Sequence, residues 1–102
     1  MSEKDSTVYI MGSVSRVLYT GVTSNLSQRI WQHKEGVFEK SFTKKYRCHR
    51  LLYFEKHKDM ISAIAREKQI QGYARKKKES LIYRMNPGWE DMSHWYLENF
   101  QE

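Results

Sequence analysis

The sequence predicts an α/β domain of the α+β kind, a small three-stranded antiparallel sheet flanked by helices in the order β-β-α-β-α-α. Three observations carry this reading. Two short runs rich in β-branched and aromatic residues are separated by turn residues; a stretch free of Gly and Pro with apolar residues at helical spacing follows; and the strand-then-helix pattern returns in the second half. A chain of 102 residues is one domain's worth, long enough for a modest core.

Thr7 to Met11 and Val17 to Val22 read as strands, and Gly12-Ser13-Val14-Ser15-Arg16 between them supplies turn chemistry, so the pair is expected as an antiparallel hairpin. In the second run Leu18 and Thr20 point one way, Tyr19 and Gly21 the other. Gly21 removes bulk on Tyr19's side and leaves room there for something to approach. Ser24 or Asn25 can cap a helix over Leu26 to Glu35, with Gly36 as its stop. Leu26, Arg29, Ile30 and His33 recur at i, i+3, i+4 and i+7, the face that packs on a sheet, yet two of the four are cationic or titratable. Arg29 and His33 therefore project from one side of the helix, and local rules broken in this way concentrate at functional sites.

Arg50 to Glu55 is the third strand, and Asp59 can cap a helix from Met60 to about Gln71. There Met60, Ile64 and Glu67 fall at i, i+4 and i+7, which sets Glu67 on the extension of an apolar stripe, where a carboxylate needs a partner. Beyond Gly72, Lys77 to Met85 forms another helix, ended by Asn86-Pro87-Gly88. Residues 7–89 are expected to form the domain. The tail, 90–102, with Trp95, Tyr96, Leu97 and Phe100, is expected to pack back on it, and the polar leader 1–6 to be disordered.

The formal net charge is +6, and the cations bunch in Lys44, Lys45 and Arg47 and in Arg75, Lys76, Lys77 and Lys78. Basic runs interleaved with Tyr suit a phosphate backbone; the plain alternative is a surface charged for solubility. The single cysteine excludes an intramolecular disulfide and a Cys-based zinc cluster. No apolar leader or run of about 20 apolar residues occurs, so a cytoplasmic protein without a membrane partner is expected. His49, His57 and His94 have no metal-ligand spacing and read as surface or loop residues.

The motifs Val8-Tyr9-Ile10, Tyr19-Thr20-Gly21, the helix signature Gly21 to Gly36, Phe42 to Tyr46, Leu52-Tyr53-Phe54-Glu55, Ala63 to Ile70 and Asn86-Pro87-Gly88-Trp89 keep the order and approximate spacing of one family. From about Thr7 to Trp89 the chain resembles a small stand-alone member of the GIY-YIG endonuclease superfamily. It departs where the family's Gly-Ile-Tyr is Thr7-Val8-Tyr9 and its Tyr-Ile-Gly is Tyr19-Thr20-Gly21, with both tyrosines kept.

The resemblance implies a metal-dependent endonuclease that hydrolyses phosphodiester bonds in DNA, with DNA expected as the nucleic-acid partner ahead of RNA, structure-specific and working in DNA repair or recombination. Its catalytic set would be Tyr9, Tyr19, Arg29, His33, Glu67 and Asn86. Glu67 is a hard oxygen ligand suited to Mg²⁺ or Mn²⁺, and the Arg29 fork matches two phosphate oxygens. Tyr9 or Tyr19 orients or deprotonates the water; the resemblance favours a tyrosine as base, with Tyr19 given the role. His33 relays the proton or holds Tyr9, and Asn86 orients a ligand or nearby backbone. Lys44, Lys45, Arg75, Lys76, Lys77 and Lys78 would bind nucleic acid. Each has a plainer rival. A strand tyrosine is usually a core aromatic, Arg29 and Glu67 can be a structural pair, and Asn before Pro is a common helix terminator. The competing function is a non-catalytic module for nucleic acid or protein on the same fold.

Overall fold

The computed structural model describes residues 6–35 and 46–100. Among them the elements run β1 (Thr7–Gly12), β2 (Leu18–Thr23), α1 (Leu26–Glu35), β3 (Arg50–Lys56), α2 (Met60–Gln71), α3 (Arg75–Met85) and α4 (Ser93–Asn99). The sheet is antiparallel in the order β2-β1-β3. β1, which the sequence makes the most continuously apolar, is central and buried along its whole length.

The hairpin register pairs Gly12 with Leu18, Met11 with Tyr19 and Tyr9 with Gly21. Ser13 closes the turn twice: its N–H donates to the Val17 carbonyl at 3.0 Å and its Oγ accepts from the Val17 N–H at 2.9 Å. Arg16 sits in this turn at φ 67, a left-handed conformation uncommon for a residue with a Cβ.

Between β1 and β3 the register slips. Ile10 pairs with Tyr53 but Met11 pairs with Leu51, which leaves Leu52 as the extra residue of a β-bulge. The bulge breaks the two-residue alternation of β3, so Leu52 and Tyr53 both join Val8 and Ile10 on one face, while Leu51 and Phe54 both join Tyr9 and Met11 on the other. α2 and α3 cover the first face through Ala63, Ile70, Leu81 and Ile82. α1 and α4 cover the second through Leu26, Ile30 and Tyr96. Burying a side chain such as Ile70 or Ile82 fully is worth about 1.5–3 kcal/mol over leaving it exposed.

Several expectations shift. Ile64 is exposed, and the buried line of α2 runs through Ala63 and Ile70. Asp59 caps the helix by accepting the Ser62 N–H at 2.7 Å, and this start turns the small Ala63 toward the sheet, where the backbones can approach. Glu67 falls at i+4 from Ala63 and still lies on the inward line, half-buried. α3 begins at Arg75, two residues before Lys77, with no side-chain cap from Ala74. Ser6, assigned to the disordered leader, is buried and its carbonyl accepts the His57 N–H at 2.7 Å. The aromatic tail contains α4. Asp91 fixes its entry by accepting the Leu51 N–H at 3.0 Å, the Ser93 N–H at 2.9 Å and the Lys34 Nζ at 2.6 Å. Among the described residues no helix is long and apolar enough to cross a membrane.

Candidate active site

Tyr9 and Gly21 are cross-strand partners, so Tyr9, Tyr19 and Gly21 share the face that α1 covers. The two rings lie 6.3 Å apart. His33 from α1 completes a triangle, 5.8 Å from each tyrosine ring, with its Nε2 3.2 Å from the Tyr9 hydroxyl. The room expected at Gly21 is already taken. A Cβ there would stand 2.6 Å from both Cζ and the hydroxyl oxygen of Tyr9, so the missing side chain accommodates the Tyr9 head.

The two tyrosines differ in access. Tyr9 is 1 % exposed, and burial, then the neighbouring Tyr19, push its phenol well above the usual range; Arg29 opposes this and Glu67 adds to it. Tyr19 is half-buried. His33 is held down at about 4, first by burial and then by the Arg29 and His49 charges, so its imidazole is neutral near pH 7. One of its ring nitrogens can then accept while the other donates.

The local sequence explains how α1 presents these groups. Asn25 is the cap, accepting the Gln28 N–H at 3.0 Å. Thr23 at the end of β2 accepts the Asn25 N–H at 3.0 Å and also the Arg29 Nε–H at 3.4 Å, which steers the guanidinium. His49 donates from Nδ1 to the His33 carbonyl at 2.7 Å; a carbonyl can only accept, so the proton is on Nδ1. Thr23 and His49 were not singled out by sequence. A Thr before a helix cap is a readable signal, whereas His49 reaches α1 from a loop and leaves none.

Glu67 comes from the opposite side of the sheet. α2 packs over β1 and β2, and Gln71, one turn after Glu67, donates both to the Glu67 carboxylate and, at 3.5 Å, to the Thr20 carbonyl of the edge strand β2. Thr20 lies between Tyr19 and Gly21. Tyr9, Tyr19 and His33 meet beside Gly21, Arg29 is held at the end of β2 by Thr23, and Glu67 is tied through Gln71 to the Thr20 carbonyl, so five of the six candidates lie around β2. Gln71 was overlooked, although its i, i+4 spacing from Glu67 is a legible pair.

Asn86 is engaged elsewhere. Its Nδ2 donates to the carbonyls of Glu90 at 2.7 Å and Leu52 at 3.3 Å, and its Oδ1 accepts the Glu90 N–H at 3.0 Å. It is a buried clamp on the turn after α3. Of the expected nucleic-acid contacts, Arg75, Lys76 and Lys77 are exposed on the first turn of α3 and Lys78 is half-buried. Lys77 rests 4.2 Å from the Tyr73 ring centre. Lys44 and Lys45 lie outside the described residues.

A β-hairpin carrying paired tyrosines, with an Arg/His helix on one face and a carboxylate-bearing helix on the other, makes a small α+β domain with one polar cluster on its sheet. The model of the GIY-YIG catalytic domain matches residues 5–80, and the chain belongs to that family. Among similar proteins, the UPF0213 protein of Syntrophus aciditrophicus is 34% identical over 80 residues, covering 78% of this chain and 91% of that one. A UPF0213 protein of Staphylococcus aureus is 36% identical over 75 residues, covering 74% and 90%. The solution NMR structure of a UPF0213 protein from Bacillus halodurans superposes with a TM-score of 0.55 at 25% identity, covering 86% of this chain and 93% of that one. The fold expected from sequence is thus shared with that solved relative, and in this chain α4 follows the expected elements.

Proposed function

We propose that this chain is a divalent-metal-dependent endonuclease that hydrolyses phosphodiester bonds in DNA, on branched or damaged duplexes of the kind met in repair and recombination. The observation that supports it most is the convergence of Tyr9, Tyr19, His33 and Arg29 from one side of β2 with Glu67 from the other. A structural core has little use for an arginine and a carboxylate set on the two sides of one edge strand.

Arg29 is the phosphate ligand, since its planar fork matches two non-bridging oxygens and its charge counts most as negative charge builds on them. Tyr19, the accessible tyrosine, orients the attacking water and, as phenolate, takes its proton as the new P–O bond forms, while the leaving oxygen takes up a proton from solvent as its bond to phosphorus breaks. Tyr9, enclosed and bonded to His33, is a positioning residue that holds the imidazole. Among the described residues no three His, Cys, Asp or Glu side chains gather as a cage, and the donor set here fits a hard cation that keeps most of its waters: one half-buried carboxylate, steadied by Gln71. Glu67 would hold Mg²⁺ or Mn²⁺, which when bound supplies neutralisation of the charge on the phosphate oxygens.

The test is nicking of supercoiled plasmid and of a branched duplex with Mg²⁺, Mn²⁺ or EDTA. Metal-dependent cleavage by the native chain, abolished in Glu67→Gln, is expected; cleavage at full rate in Glu67→Gln would end this assignment.

A further inference from the structure

We propose that the hairpin-turn end of the sheet is a second, non-catalytic site for the phosphodiester backbone of duplex nucleic acid, built by Arg16, Arg75 and Lys78. The inference rests on the nuclease reading and extends it to a residue, Arg16, that the sequence offers only as turn chemistry.

Arg16 is exposed at the turn, and its surroundings hold it in place. Its N–H donates to the Ser13 carbonyl at 3.0 Å, its own carbonyl accepts from Arg75 Nη2 at 2.6 Å, and its guanidinium stacks 4.4 Å from the Trp89 ring centre. A pre-ordered cation loses less freedom on binding an anion than a waving one. Arg16, Arg75 and Lys78 line a hollow of about 390 Å³ with Ser15, Val17 and Leu18. On its other side Arg16 shares a smaller hollow with Arg50 and Trp89. Among the described residues no acidic side chain lines either hollow, and Glu79 offsets part of the charge through Arg75 Nε at 2.8 Å.

Helix α3 sharpens the argument. Its first turn is Arg75, Lys76, Lys77 and Lys78, with no carboxylate and no side-chain cap, so cations crowd the positive end of the helix dipole. That arrangement disfavours the helix alone and suits an anion laid across it. Position agrees with the nuclease reading. Arg16 precedes Tyr19 by three residues, a span of at most about 10 Å of chain, within about three base-pair steps of a duplex.

The experiment is anisotropy of a labelled duplex of about 20 base pairs in EDTA, from roughly 50 to 200 mM salt, with thermal melts of each variant. R16Q/K78Q should bind at least about tenfold more weakly at the lower salt and lose about 1.8 from the slope of log K against log salt. The charge-preserving R16K/K78R should keep both. K58Q/K68Q, equal in net charge, places one change beyond the far end of β3 and the other on exposed α2. It should lose clearly less affinity. If R16Q/K78Q melts early, K78Q alone carries the test with a slope change near 0.9. Equal losses in R16Q/K78Q and K58Q/K68Q would overturn the site and leave the nuclease reading to Glu67→Gln. A native chain that binds no duplex, or binds with no salt dependence, would overturn both.

Discussion

Glu67 and Arg29 bear on the Tyr9 phenol with opposite signs, and charge-removing variants separate chemistry from architecture. Glu67→Gln keeps shape, so the variant should fold and bind duplex while metal-dependent nicking falls by orders of magnitude; Arg29→Ala should lose rate comparably, its phosphate contact counting mainly in the transition state. Were Glu67 only a structural partner for cationic neighbours, Glu67→Gln would instead melt earlier at an unchanged rate per folded molecule. His33 provides a separate, pH-linked signature. Its imidazole is held at about 4 by burial and the Arg29 and His49 charges, whereas the unfolded chain takes up that proton near 6.5. The unfolded state therefore binds more protons between those values, so the His33 contribution is intact above pH 6.5 and disappears as pH falls to 4, roughly 3 kcal/mol over the full window. Urea melts at several pH values should show this slope in the native chain and a flatter one in His33→Gln; parallel slopes would discard the assignment. At this scale Tyr9, Tyr19, Arg29, His33 and Glu67 were legible because a helix or strand face fixes their direction. Thr23, Gln71 and His49 act through contacts that only the folded chain makes.

The strands and helices were readable wherever burial imposes a period: two for β2, and 3.6 for α1. They were misread where a local event resets the phase. The Leu52 bulge breaks the alternation of β3, and the Asp59 cap fixes which residues of α2 face inward, so Ile64 is exposed and Ala63 buried. α4 escaped notice because seven residues show too little periodicity to separate a helix from an aromatic tail. Its docking depends on the preceding turn, where the Asn86 side chain bonds three backbone groups of Leu52 and Glu90. Asn86→Ala leaves those groups unmet in a buried place and should cost about 1–3 kcal/mol, with the nicking rate per folded molecule unchanged. Denaturant midpoints and nicking from one preparation decide the matter: a lost rate with an unchanged midpoint would return Asn86 to the catalytic set.

Taken whole, the molecule is a thin sheet between two helical layers with a net charge of +6, and its described exposed cations include the first turn of α3 and the β1–β2 turn. A domain this small has little surface for reading base edges and much for neutralising phosphates, so its affinity for duplex should be mostly counterion release. If about 3 to 6 phosphates are contacted, the binding constant should fall some tens to about a thousandfold between roughly 50 and 200 mM salt, nearly independent of sequence. Neutralising Lys44, Lys45, Lys76 and Lys77 together should weaken binding to every duplex alike and flatten the salt slope. Substrate preference would then come from how the duplex bends across β2 toward Tyr19, so branched and intact duplexes should differ more in cleavage rate than in affinity. Titrations of both substrates at three salt concentrations, beside their nicking rates, test this. Equal cleavage rates with a large affinity gap would mean that selection happens at binding, and would move the search for specificity from the catalytic face to the basic surface.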